Sequence, residues 1–134
     1  MSIPLNMKSK RYYLLIGLLF SFISMVNGQT FTVTEMNFYD KTSPQSIQDY
    51  KKDALGATVK LTEYGNDLKV EITDNNNKSE TVILGKVDDK VYETRKYNQI
   101  LRITINSILG YYKSIRMEQW DKDKLERVII AKRK

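Results

Sequence analysis

Apolar and polar positions alternate with a period of two over most of the chain beyond residue 28. Phe31, Val33 and Glu35 occupy one face and Thr30, Thr32 and Thr34 the other, a β-branched, aromatic opening that predicts a strand. The period then changes. Ile47, Tyr50 and Ala54 follow helical spacing, with Thr42-Ser43-Pro44 as a start signal and Gly56 as a stop. Residues 44–55 are therefore expected to form a short helical crossover.

From Ala57 onward, consecutive strands joined by tight turns are expected. Val59 and Leu61 share one face, as do Leu68, Val70 and Ile72, with Gly65-Asn66-Asp67 between them. A two-residue turn at Asn66-Asp67 sets Leu61 opposite Ile72 and Glu63 opposite Val70, so the apolar faces coincide; a three-residue loop would separate them. Thr62 then pairs with Glu71 and Tyr64 with Lys69 on the outer face. Residues 74–78 read as a polar loop, and residues 81–84 and 91–95 as strands around Asp88-Asp89. Leu101, Ile103 and Ile105 alternate with Arg102, Thr104 and Asn106. A long strand over residues 111–120 meets residues 125–131 across a Lys122-Asp123 turn. That register places Met117 opposite Val128 and Ile115 opposite Ile130 inside, with Glu118 opposite Arg127 outside.

The resulting fold class is all-β: an antiparallel up-and-down meander of about eight strands with one short helical crossover after the first. Such a sheet must deal with its edges, and closure into a barrel does so. A half-barrel or a two-sheet sandwich is the alternative. The layout is similar to the small lipid-binding barrels called calycins, a resemblance of architecture that implies a ligand-holding interior. The Gly-x-Trp signature expected near the first strand of a lipocalin is absent.

Residues 1–28 follow a different pattern. Lys8, Lys10 and Arg11 precede the apolar run 12–26, which ends at Asn27-Gly28-Gln29. A basic region, an apolar region and a small residue at the junction make a secretory signal peptide. As a helix, the run reaches about 22 Å at roughly 1.5 Å per residue, short of a hydrocarbon core of about 30 Å. With Val26 and Gly28 at the −3 and −1 positions, cleavage before Gln29 is expected, leaving a single domain over residues 29–134 and no stable membrane anchor. No cysteine follows the apolar run, which excludes a lipoprotein anchor. The expected location is secreted or periplasmic.

Composition narrows the chemistry. The chain holds neither Cys nor His, so a thiol nucleophile, a Ser-His-Asp triad and a Cys/His zinc site are all excluded. Loss of residues 1–28 lowers the net charge from +6 to +3, which the tail Lys132-Arg133-Lys134 carries alone. A tail of this kind is no basic face, so nucleic acid is not an expected partner. Residues 74–79 resemble a calcium loop only superficially: Lys78 and Ser79 stand where an acceptor and a glycine belong. Asp121 and Asp123 are interleaved with Lys122 and Lys124. No metal and no cofactor are expected. Asn77-Lys78-Ser79 is a glycosylation sequon relevant only in a eukaryotic host.

Most acids fall in turns or on the outer face, so no pair for glycoside hydrolysis stands out and no catalytic residue is expected. Glu63 is the exception, because its parity sends it inward. Tyr111, Lys113 and Gln119 share the inward parity of Ile115 and Met117. These four residues are the candidate ligand contacts at a barrel mouth, with Glu63 and Gln119 expected to line the same one. The tyrosines Tyr39, Tyr50, Tyr64, Tyr92, Tyr97, Tyr111 and Tyr112 offer rings for sugar stacking, though their β-propensity explains them equally well. The sequence thus points to an exported, non-catalytic barrel that binds a small apolar or amphipathic molecule. The alternative is a structural or interaction module contacting extracellular protein or glycan through a strand edge or an aromatic face.

Protein recovered from the exported fraction should begin at Gln29. Intact-mass measurement should show the loss of residues 1–28, and a full-length product in the membrane would contradict the processing.

Overall fold

The computed structural model describes residues 28–133, so the segment expected to direct export falls outside it apart from Gly28. Eight strands and one helix follow in order: β1 (Gly28–Phe38), α1 (Pro44–Ala54), β2 (Thr58–Tyr64), β3 (Asp67–Thr73), β4 (Ser79–Asp88), β5 (Val91–Lys96), β6 (Gln99–Ile108), β7 (Tyr111–Asp121) and β8 (Lys124–Arg133). Each strand pairs antiparallel with its sequence neighbour, and β1 also pairs with β8, so the sheet closes into a barrel. The half-barrel and sandwich alternatives fall away.

The crossover helix forms for local reasons. Ser43 caps it, its Oγ accepting from the Ser46 N–H at 3.2 Å, and Pro44 occupies the first turn, where a missing N–H costs nothing. Gly56, at φ +89°, ends it and donates its N–H to the Val33 carbonyl, which returns the chain to the barrel. Asn75, in the β3–β4 turn, donates its side-chain amide to the carbonyls of Lys52 and Leu55 at 2.8 and 2.7 Å. The Asp74 carboxylate accepts the N–H groups of Asn76 and Lys78. The polar loop over residues 74–78 thus serves as a clasp on the helix C-terminus.

One face of every strand points inward. Phe31, Val59, Leu61, Leu68, Val70, Leu84, Ile103, Ile105, Ile115, Met117 and Ala131 fill the barrel centre and are almost wholly buried. An eight-stranded barrel is just wide enough for such side chains to occupy it. The outer face is charged. Glu93, Arg102 and Glu118 lie in register across β5, β6 and β7, with Arg102 Nε 2.6 Å from Glu93 and the Arg102 guanidinium 3.9 Å from Glu118.

The β2–β3 turn is displaced from its expected place, and four ladders, β1–β8, β4–β5, β6–β7 and β7–β8, carry register shifts. The β2–β3 turn is Gly65-Asn66, with Tyr64 opposite Asp67, Glu63 opposite Leu68 and Leu61 opposite Val70. The loop has two residues as expected, and the apolar faces coincide as expected. The turn sits one residue earlier because Gly65, at φ +61°, takes the left-handed position that opens a tight hairpin turn. In the last hairpin, Lys122 and Asp123 form the expected turn at φ +48° and +64°. A bulge between Gln119 and Trp120 then shifts the pairing, setting Met117 opposite Ile129 and Ile115 opposite Ala131. Ile129, Ala131 and Arg127 take the inward parity and Val128 and Ile130 the outward one, the reverse of the expectation, although Val128 is still buried at 2% exposure. In β1, an irregularity between Val33 and Glu35 turns Met36 inward and leaves Glu35 exposed. A further bulge interrupts β6–β7 between Asn106 and Ser107. Each bulge bends its strand and increases local twist, as barrel closure demands.

Gly65→Val should destabilise the protein by about 1–2 kcal/mol through backbone strain. An added Cβ meets nothing within 4 Å there, so no clash contributes. Asn66→Val should cost less. Equilibrium urea unfolding of both variants checks this; a larger loss for Asn66→Val would move the turn.

Candidate functional site

The bulge in β7 rearranges the candidate contacts. Ser114 pairs with Asn106 and Tyr112 with Ser107, so Lys113 is the extra residue and the inward parity passes from Tyr111 to Tyr112. Tyr111 is 70% exposed and Lys113 is exposed, both away from the interior. This corrects the expectation that the two share the inward face of Ile115. Tyr112 was not singled out for this role because strict alternation sends it to the outer surface.

Glu63 does turn inward, and it meets Tyr112, whose hydroxyl donates to the Glu63 carboxylate. Burial is the main cause that raises the Tyr112 pKa, followed by the bond to Glu63 and the charge of Glu63. Tyr92, 3% exposed, is raised as well, first by burial and then by the charges of Glu63 and Asp89. Lys90 Nζ lies 3.4 Å from the Tyr112 hydroxyl and 5.0 Å from its ring centroid. Gln29, opposite Leu61 on the same inward file as Glu63, has a buried side-chain oxygen without a hydrogen-bond partner among the described residues. These groups close one end of the barrel, where the β2–β3, β4–β5 and β6–β7 turns lie. Asp89, in the β4–β5 turn, is a second carboxylate whose charge reaches Tyr92 and Tyr112. Among the described residues no three or more acids gather as a cation site would require.

Gln119 lies at the other end. Tyr112 and Gln119 are seven residues apart on β7, about 23 Å at roughly 3.3 Å per residue. The filled centre separates Glu63 from Gln119, so the two do not share a mouth. Gln119 instead lines a cavity of about 370 Å³ with Val82, Thr94, Lys96, Leu101 and Arg127. The size falls within the range typical of small-ligand sites, roughly 300–1,000 Å³.

Arg127 is the central cation of this mouth. It stands opposite Gln119 on β7 and Phe38 on β1. Its guanidinium carbon lies 5.4 Å from the Phe38 ring centroid and 4.7 Å from that of Tyr50, and those two rings stack at 5.9 Å. Its terminal nitrogen is 3.6 Å from Asp40. The Thr42 hydroxyl, and after it Arg127, hold the Asp40 carboxyl below its ordinary value. Strand β1 and helix α1 thus fix Arg127 from one side, while its Nε has no hydrogen-bond partner. The bulge before Trp120 brings Arg127 inward. Without it, Arg127 would pair outside with Glu118. Trp120, opposite Leu125 as expected, lies under the Arg102 guanidinium at 5.6 Å.

The molecule is a small closed antiparallel β-barrel with a filled core, one end plugged by a tyrosine–glutamate pair and the other opening into a polar-rimmed cavity. No protein-family model matches the chain, and no curated protein matches it.

Because the Tyr112 pKa is raised in the fold, the stability linked to it is present below the unfolded value of about 10 and is lost as pH rises through the folded value. Urea midpoints should therefore fall above about pH 10, and Tyr112→Phe should shrink that loss. The same variant should cost about 1 kcal/mol near neutrality, because Glu63 loses its donor. An undiminished alkaline loss in Tyr112→Phe would contradict the assignment.

Proposed function

We propose that the protein is an exported, non-catalytic binding module. In this reading it takes the polar head of a small amphipathic molecule into the cavity between β4, β5, β6, β7 and β8. The observation that carries this reading is the pairing of Gln119 with Arg127 on that cavity, Arg127 having an unused Nε donor beside the apolar walls of Val82 and Leu101. An acceptor oxygen on the ligand would complete the guanidinium, and a short apolar portion would rest on Leu101 and Val82. The filled centre argues for a ligand that enters only the mouth, not one that threads the barrel. The absence of Cys and His, and the engagement of Glu63 by the Tyr112 hydroxyl, support a role without catalysis.

A second reading, an interaction module, is favoured by the aromatic and aliphatic side chains exposed at the turns. Barrel closure removes the open strand edge such a module could have used, which leaves the turn surfaces.

A screen of small carboxylates and their neutral esters by thermal shift tests the first reading. Carboxylates should raise the melting temperature and esters should not. Arg127→Met should abolish the shift, and Gln119→Leu should weaken affinity by about tenfold, the worth of a hydrogen bond to a charged group. Binding unaffected by both substitutions would move the ligand elsewhere.

A further inference from the structure

The hairpin joining β6 and β7 has a tip that neither folding nor packing accounts for. Leu109 is 93% exposed and holds φ +51°, next to Gly110 at φ +82°. Tight hairpin turns of this hand favour Asn, Asp or Gly at such positions, because their side chains tolerate the left-handed region. A leucine there carries backbone strain and gains no burial in return. Of the other non-glycine residues at comparable φ among the described residues, Asn77, Lys90, Lys122 and Asp123 are polar or charged, and Tyr97, 94% exposed at the opposite end of the barrel, carries a hydroxyl; Leu109 is the aliphatic one. Ile108 and Tyr111, on either side of the tip, are 50% and 70% exposed. The three together make an apolar projection at one end of the barrel.

The surroundings of this projection carry charge of one sign. A cleft of about 810 Å³ runs beside it, and the charged side chains lining it are Lys113, Lys132 and Arg133. Lys113 reaches this outer position because it is the extra residue of the β7 bulge, and Lys132 and Arg133 end β8. Of the acids at this barrel end, Asp67, Asp88 and Asp89 belong to the β2–β3 and β4–β5 turns, and Glu63 is turned inward onto Tyr112. Strand β1 also begins here, with Phe31 opposite Arg133, so the chain enters the barrel at the same end. The residues preceding it in sequence are the apolar run 12–26.

We propose that this end of the barrel docks peripherally on an anionic lipid surface. Leu109, Ile108 and Tyr111 insert at the headgroup boundary, and Lys113, Lys132 and Arg133 meet lipid phosphates. Insertion gives the exposed, strained leucine the apolar burial it lacks in the fold, and the three cations supply the attraction to an anionic leaflet. Before cleavage, a leader entering at this end would already set it against the membrane. After cleavage, the hairpin and the basic cluster retain a weaker, reversible hold. The proposal is independent of the cavity at the opposite end, which this orientation leaves facing water.

The test uses protein beginning at Gln29, whose core and strand ladders lie within residues 28–133. It is sedimented with vesicles of phosphatidylcholine alone, or of phosphatidylcholine mixed with phosphatidylglycerol. The wild type should partition onto the mixed vesicles and be released by salt. Leu109→Asn should lower that partition about tenfold, from the lost insertion of one leucine. It should also raise the melting temperature, because asparagine relieves the turn. Replacing Lys113, Lys132 and Arg133 together with Gln should remove the preference for anionic vesicles while leaving the fold unchanged. Wild-type protein that stays in solution with both vesicle types overturns the proposal. So does a vesicle affinity that Leu109→Asn leaves unchanged. Lipid-free self-association that depends on Leu109, read by sedimentation velocity, also overturns it and assigns the tip to a second copy of the chain.

Discussion

The ladder between β1 and β8 is the contact on which the rest of the structure depends. A meander of eight antiparallel strands has two edges, each with a row of unpaired backbone groups. Pairing the first strand with the last satisfies both rows at once. Closure also turns one face of every strand toward a common axis, so that Phe31, Leu61, Leu68, Leu84, Ile103 and Ile115 meet in one core without disulfide support. Helix α1 is placed by the same requirement. The chain must return from the end of β1 to the start of β2, and the helix spans that gap. It is held by the Ser43 cap, the Gly56 stop and the Asn75 clasp.

Closure has a geometric cost that the bulges meet. Flat strands with strict alternation do not curl into so small a barrel, and an extra residue adds the bend and twist that do. Each such residue also reverses which side chains face inward beyond it. The bulge at Lys113 brings Tyr112 onto Glu63, and the one at Glu126 brings Arg127 beside Gln119. The polar chemistry at both barrel ends therefore follows directly from barrel closure.

The two ends differ in kind. At one, a carboxylate that would be costly to leave unpaired is met by a phenol, with a lysine over the ring, which seals the core. At the other, an arginine is stacked on two rings and paired with Asp40, yet keeps one donor unused beside a cavity. The two proposals divide along the same line, the surface docking assigned to the plugged end and the small-molecule binding to the open one.

The pattern of apolar and polar positions, with its change to helical spacing over residues 44–55, by itself determined the class, the strand count, the antiparallel order, the crossover helix and most of the core. Each of these depends on local alternation, capping or turn chemistry, and a short window of residues carries that information. It also placed Glu63 inward and the final turn at Lys122-Asp123. Only the tertiary structure decided that Tyr112 replaces Tyr111 and that Arg127 joins Gln119. The physical reason is that a bulge is a response to curvature of the whole sheet. Its position depends on how eight strands fit around one axis, and alternation within a strand does not encode that fit.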